Sequence, residues 1–323
     1  MPGRVIFSSK FSSPASPFVL LDEFASIGRH RNATTATALT SARGTVGVSF
    51  DLVEPPAISR WFVDFSGQKE REFKRKPQIL NADDSLVLLR MAVFPEDDGG
   101  LTVDYFVYRA GPAGKPSLDL IPGPHPKMHS AKQIGVLHFG DDEREHYAVV
   151  FPAPRPKASM AYEMHMFSSE TQAWSTKVAK VVIDRETGCH DIVRHRSSKV
   201  VSAGGSWLAW IDLWRGVLLC NVLDEDPVLK LLQWPVPPPE GVCIEMYAAR
   251  SIRDAAVSDA GVVREVKLEA IEVIPNYLTY SPCTFNRSYQ VKFSHAASQF
   301  QQLSTHEFCK AHLAIGSANA ITR

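Results

Sequence analysis

Short apolar runs, each closed by a turn rich in Gly, Pro or Asp, recur along most of this chain, while apolar residues at helical spacing are scarce before its last fifty or so positions. That pattern confines the polypeptide to a mainly β fold. Ser85 to Phe94 is an almost unbroken apolar run ended by Pro95 and the turn Asp97-Asp98-Gly99-Gly100, and Val103 to Tyr108 then alternates apolar with polar. The two read as a β-hairpin. Further strands are expected at 44–52, 60–65, 133–139, 146–151, 162–167, 199–202, 207–213, 217–222 and 262–274. With about 150 residues per domain, 323 residues correspond to two domains or one large repetitive one.

Three hairpins repeat in kind. Asp104–Tyr108 leads through a Gly/Pro turn to Pro116–Pro122, Glu163–Phe167 leads through Ser168–Thr171 to Gln172–Ser175, and Val217–Val222 leads through Asp224–Pro227 to Val228–Leu232. Tyr108, Phe167 and Val222 lie 59 and 55 residues apart, slightly above the ~40–50 of common propeller blades. A propeller-like array of antiparallel hairpins is the expected architecture, with a β-sandwich or split β fold as the alternative. Residues 1–17 are expected to form a flexible Ser-rich tail, although their lack of acids is shared with organellar transit peptides. Residues 18–274 form the β-rich region. Residues 275–323 form a helical or disordered tail, in which Phe300, Leu303, Phe308, Leu313 and Ala314 give only a ragged stripe between His295 and Ala314.

Hydrophobic residues make up 45% of the chain, enough for a substantial core, and 35 basic residues balance 35 acidic ones. A chain with no net charge lacks the global attraction that nonspecific nucleic-acid or anionic-membrane binding requires, so neither partner is expected. The cluster Lys69, Arg71, Lys74, Arg75 and Lys76, diluted by Glu70 and Glu72, reads as a solvated loop. Cys189, Cys220, Cys243, Cys283 and Cys309 form no C-x-x-C pair and too sparse a set for a disulfide framework. Five reduced thiols in the cytoplasm or nucleus are expected. Phe18–Leu21 is too short for a signal-peptide core, which makes the sequons at Asn32 and Asn286 chance matches.

Chemistry-bearing motifs are missing where they would be visible. No phosphate loop, G-x-G-x-x-G turn or H-E-x-x-H helix occurs. Gly204-Gly205-Ser206-Trp207-Leu208 lacks the closing glycine of a nucleophile elbow and reads as a strand entry. His306, Cys309 and His312 want a fourth ligand, His190 and His195 beside Cys189 form an unsupported cluster, and the acidic pairs Asp83-Asp84 and Asp97-Asp98 sit in turn contexts. No catalytic residue, metal or cofactor is therefore assigned. The run Pro235–Pro239 is extended by necessity and reads as a connection.

Four of the six tryptophans, Trp207, Trp210, Trp214 and Trp234, fall within 28 residues. Trp207 and Trp210 are expected to pin a hairpin into the core. Asp212 and Arg215 flank the turn Trp214-Arg215-Gly216, where they fix the bend, or, with Trp214, present a recognition surface. Asp212, Trp214 and Arg215 are accordingly the candidate interaction surface.

The segment Trp207–Leu223 also resembles the signature of a plant family expanded in grasses, the domain of unknown function 1618 (DUF1618). Arg31–Ala38, Val87–Arg90, Asp104–Ala110, His165–Ser175 and Arg253–Asp259 are similar to the same family, and the resemblance covers about residues 18–274. It implies a plant protein without established catalytic residues, grouped with F-box-associated and propeller-like domains. The expectation that follows is a noncatalytic module that binds an unidentified protein in a stress or developmental pathway. The alternative is a hydrolase whose acid/base pair is assembled from distant loops.

Overall fold

The computed structural model describes residues 4–8, 18–65, 75–93, 102–111, 115–123, 125–126, 131–141, 144–155, 161–183, 195–232, 253–260, 263–270 and 287–293. These residues are mainly β, with one 3-10 turn at Ala131–Gln133, and no helix among them is long and apolar enough to cross a membrane. The chain divides into two compact units, Met1–Ala153 with Met164–Thr176, and Pro154–Glu163 with Lys177–Arg323.

In the first unit, β1 (Arg4–Ser8) pairs antiparallel with β2 (Phe18–Asp22). The stretch expected as a flexible tail thus contains a strand, and the apolar Val5-Ile6-Phe7 in its sequence is the signal that was outweighed by the surrounding serines. Next come β3 (Ser26–Ile27), β4 (Ala36–Leu39), β5 (Thr45–Asp51) and β6 (Arg60–Phe65), ordered β3-β6-β5-β4. A four-stranded meander follows: β7 (Arg75–Asp83), β8 (Leu86–Val93), β9 (Thr102–Arg109) and β10 (Ser117–Leu120).

The apolar run that dominates the sequence becomes β8, and its lack of alternation has a direct cause. Val87, Leu89 and Met91 belong to a core with Val48, Phe50, Trp61 and Val63 of the preceding sheet. Leu86 and Leu88 belong to a second core with Val136, Tyr147, Val149 and Phe167. A strand with a sheet packed on each face has no solvent side to mark with polar residues.

The chain continues through β11 (Gly135–Asp141), β12 (Arg144–Pro154), β13 (Ala161–Ser168) and β14 (Ala173–Ile183), then β15 (Lys199–Gly204), β16 (Trp207–Asp212), β17 (Gly216–Asn221) and β18 (Val228–Leu232). Both sets are antiparallel meanders, and β14 and β18 join them through a parallel pairing, Lys180↔Val228 to Ile183↔Leu231. The three hairpins singled out in the sequence are β9–β10, β13–β14 and β17–β18, the third and fourth strands of three successive meanders. The array of antiparallel hairpins is therefore present, and the repeat reflects a four-stranded unit. Edge-to-edge joining through β14 and β18 is where it departs from separate propeller blades.

Trp210 is fully buried at the middle of β16, opposite Val200 on one side and Leu218 on the other. Gly204 and Gly205 both take positive φ in the β15–β16 turn, which is why glycines rather than a side-chain-bearing residue open this hairpin. A last sheet comprises β19 (Arg253–Ala260), β20 (Val263–Ala270) and β21 (Arg287–Phe293), all antiparallel. β21 falls inside the stretch expected as a helical or disordered tail. It is a strand, and the alternation of Tyr289, Val291 and Phe293 with Ser288, Gln290 and Lys292 explains it. The helix expected at 295–314 lies outside the described residues.

Candidate functional site

The Asp212 turn is built around one carboxylate. Its Oδ1 accepts from the Trp214 amide at 2.8 Å and the Arg215 amide at 3.2 Å, while Oδ2 accepts from the Arg196 amide at 2.8 Å and from Arg215 Nη1 at 3.3 Å. Asp212 is 2% exposed and Trp214 8%. Gly216 closes the turn at φ 136°, a conformation L side chains rarely adopt. Buried beside it, His195 has an Nε2 without a hydrogen-bond partner. Burial lowers its pKa, the Asp212 charge and the backbone of Gly216 and Trp210 raise it, and Arg215 lowers it. Of the three residues proposed for a recognition surface, the structure buries two and leaves only the Arg215 side chain partly exposed. Their hydrogen bonds are spent on the bend.

A second polar group lies in the first unit, where β7, β8 and β9 meet β11 and β12. Ser85 Oγ is 3.0 Å from His138 Nε2, and His138 stands opposite Tyr147 in the β11–β12 ladder. The Arg109 guanidinium lies 5.6 Å from the centre of the Tyr147 ring. Burial raises the Asp83 pKa to about 6, with the Asp84 charge adding to it and the His138 backbone opposing. Burial also raises Asp119, against the Arg109 charge. A serine, a histidine, an arginine and two carboxyls with raised pKa values thus converge from four separate segments, the Ser85–His138 contact spanning 53 residues. No motif links them in the sequence, so spacing could not have found them; the Asp83-Asp84 pair alone was visible, as a turn.

The third feature is a sheet face in the second unit. On β14, Ala179 and Val181 are buried while Val178, Lys180 and Val182 point outward, the two valines 49% and 53% exposed. Register carries this face across the sheet: Lys180 stands beside Val228 and Val182 beside Lys230. Lys230 in turn stands beside Leu219, and Asn221 beside Trp207. Lys230 Nζ lies 5.7 Å from the centre of the Trp207 ring. On the neighbouring β13, Glu163 is paired with Arg155 at 3.4 Å.

Other residues singled out in the sequence have structural roles or fall elsewhere. Asn32 of the first sequon accepts from the Thr34 amide at 2.9 Å and donates to the Phe50 carbonyl at 2.8 Å. Arg75 and Lys76 of the basic cluster are the exposed first residues of β7. Cys220 is a free, buried thiol whose pKa burial pushes up to about 12. Cys189, Cys243, Cys283, Cys309, His190, His306, His312 and Pro235–Pro239 lie outside the described residues.

Residues 210–305 match the family model described as a protein of unknown function, DUF1618. The match supports the resemblance carried by Trp207–Leu223 and extends past Ile274, where that resemblance ends. No curated protein matches the chain.

Proposed function

From a chain that carries a DUF1618 segment at residues 210–305, we propose a noncatalytic protein-interaction module working in the cytosol or nucleus of a plant cell. The observation that carries this reading is the outward face of β14 and β18, where Val178 and Val182 expose apolar surface beside Lys180 and Lys230. Isolated exposed apolar residues are ordinary, but two valines four residues apart on one face of the strand, continued by Val228 and Leu219 in register, form a patch suited to a partner. The experiment is capture from plant extract by the full chain and by a Val178→Asp, Val182→Asp double variant, followed by mass spectrometry. Partners retained by the parent and lost by the variant are expected. An identical set from both would remove this face from the function.

The alternative, a hydrolase, has one observation in its favour, the Ser85–His138 contact, since a hydroxyl within reach of an imidazole is the arrangement that activates a nucleophile. Its test is a fluorophosphonate probe: covalent labelling at Ser85 that disappears in His138→Ala supports a serine hydrolase, and an unlabelled native chain removes Ser85 as the nucleophile.

A further inference from the structure

We propose that the β14–β18 face of the second unit docks an extended, acidic segment of a protein partner, with small apolar residues flanking a carboxylate that lies between Lys180 and Lys230. This rests on the interaction reading above and supplies the chemistry of the partner. The face offers two kinds of contact in alternation. Along β14 the outward order is valine, lysine, valine, and across the parallel register it is Lys180 beside Val228 and Val182 beside Lys230. An extended peptide presents side chains on one face at every second residue, which matches a row of outward positions on a strand.

Charge chooses the occupant. At the outward positions of β14 and β18, Val178, Lys180, Val182, Val228 and Lys230, the charges are two lysines, and the carboxylate of Asp224, in the turn before β18, is already engaged, its Oδ1 accepting from the Asn221 side-chain amide at 2.6 Å. Glu163 on β13 is already paired with Arg155, and Asp212 on β16 turns to the amides of its own bend. A second copy of this chain would set lysines against lysines, and a basic segment would be repelled in the same way. Lys230 resting over the Trp207 ring holds one cation in place beside the apolar surface.

The test uses the full chain and two synthetic peptides, one alternating valine with glutamate and one alternating valine with lysine, titrated by fluorescence anisotropy at low and high salt. The glutamate peptide is expected to bind and to weaken about tenfold as salt rises, because these are surface charges open to screening. In the Lys180→Glu, Lys230→Glu variant the preference is expected to exchange, the glutamate peptide losing about tenfold in affinity and the lysine peptide gaining it. Both lysines are exposed, so an unchanged urea midpoint identifies variants that remain folded. Equal binding of the two peptides, or a charge-reversed variant that behaves like the parent, overturns the proposal. Should extract partners still depend on Val178 and Val182 while neither salt nor the lysine variant weakens their capture, the acidic-segment inference falls and the interaction reading stands.

Discussion

Ser85 Oγ lies 3.0 Å from His138 Nε2 and joins the β7–β8 turn to β11 across 53 residues of sequence. The Ser85 carbonyl meanwhile accepts from the Ala110 amide at 2.8 Å, so this one residue ties three segments of the first unit. Ser85 is buried, and removing its hydroxyl leaves the imidazole without that partner. Ser85→Ala is expected to cost about 1–2 kcal/mol in urea unfolding. A midpoint equal to the parent's would show that the contact adds nothing to the fold.

Asp83, two positions earlier, gives this region a pH dependence. Its carboxyl titrates near 3.8 when unfolded and at about 6 when folded, burial being the main cause and Asp84 the second. The native state therefore holds a proton that the unfolded state releases, so this group's contribution to stability falls as pH rises from about 4 to 6 and its cost is complete above that window. Asp83→Asn is expected to stabilise the chain at pH 7 and to change little at pH 4. Equal gains at both values would mean that ionisation is not the cause.

The strands legible in the sequence were those whose pattern survives in one residue class. Arg60–Phe65 emerges with its expected boundaries as β6, and its buried positions Trp61, Val63 and Phe65 alternate with less buried Phe62 and Asp64. β7 was obscured because Arg75 and Lys76 continue a basic cluster, Pro77 interrupts the run, and register shifts near Gln78 and Asn81 break the alternation. β4, Ala36–Leu39, is absent from the expected strands because its Ala-Thr-Ala-Leu run is short and carries little apolar contrast. The outward face of β14 was hidden for another reason. Valines at 178, 181 and 182 look alike in sequence, and only the register with β18 shows which of them point outward. The Asp212 turn was recognised, but the share of each side chain left to solvent depends on packing that spacing does not record.

Asp212→Ala should be the most damaging substitution at that turn. It strips the acceptor from the amides of Arg196, Trp214 and Arg215, and unsatisfied buried donors cost about 1–3 kcal/mol each, part of which water recovers. A loss of about 2–4 kcal/mol in urea unfolding is expected. Arg215→Ala removes a partly screened ion pair and should cost about 0–1 kcal/mol. If the arginine variant proves the weaker of the two, the carboxylate is not the centre of the turn.

His195 supplies the opposite pH sign to Asp83. Burial, its largest influence, holds the folded pKa below the ordinary 6.5, so below pH 6.5 the unfolded state takes up a proton that the native state refuses. Stability from this group is complete above that pH and declines as pH falls toward the folded value. The stability of His195→Gln, referred to its own value at pH 8, should fall less than the parent's between pH 6.5 and 5. Parallel pH profiles for the two proteins would place the responsible group elsewhere.

Truncation after Ile274 tests whether the C-terminal strand is structural. It removes β21, whose seven residues pair with β20 from Arg264↔Phe293 to Ala270↔Arg287, and leaves β19 and β20 as a two-stranded hairpin. An isolated two-stranded pairing is marginal in water, and β20 would then present an unpaired edge open to aggregation. The β1–β18 sheets keep all their partners in the shortened chain. The truncated chain is thus expected to retain most of its β-type circular dichroism while losing slow amide exchange across 253–270 and becoming less soluble. Full amide protection over 253–270 after truncation would show that β19 and β20 draw their stability from elsewhere and that β21 is dispensable.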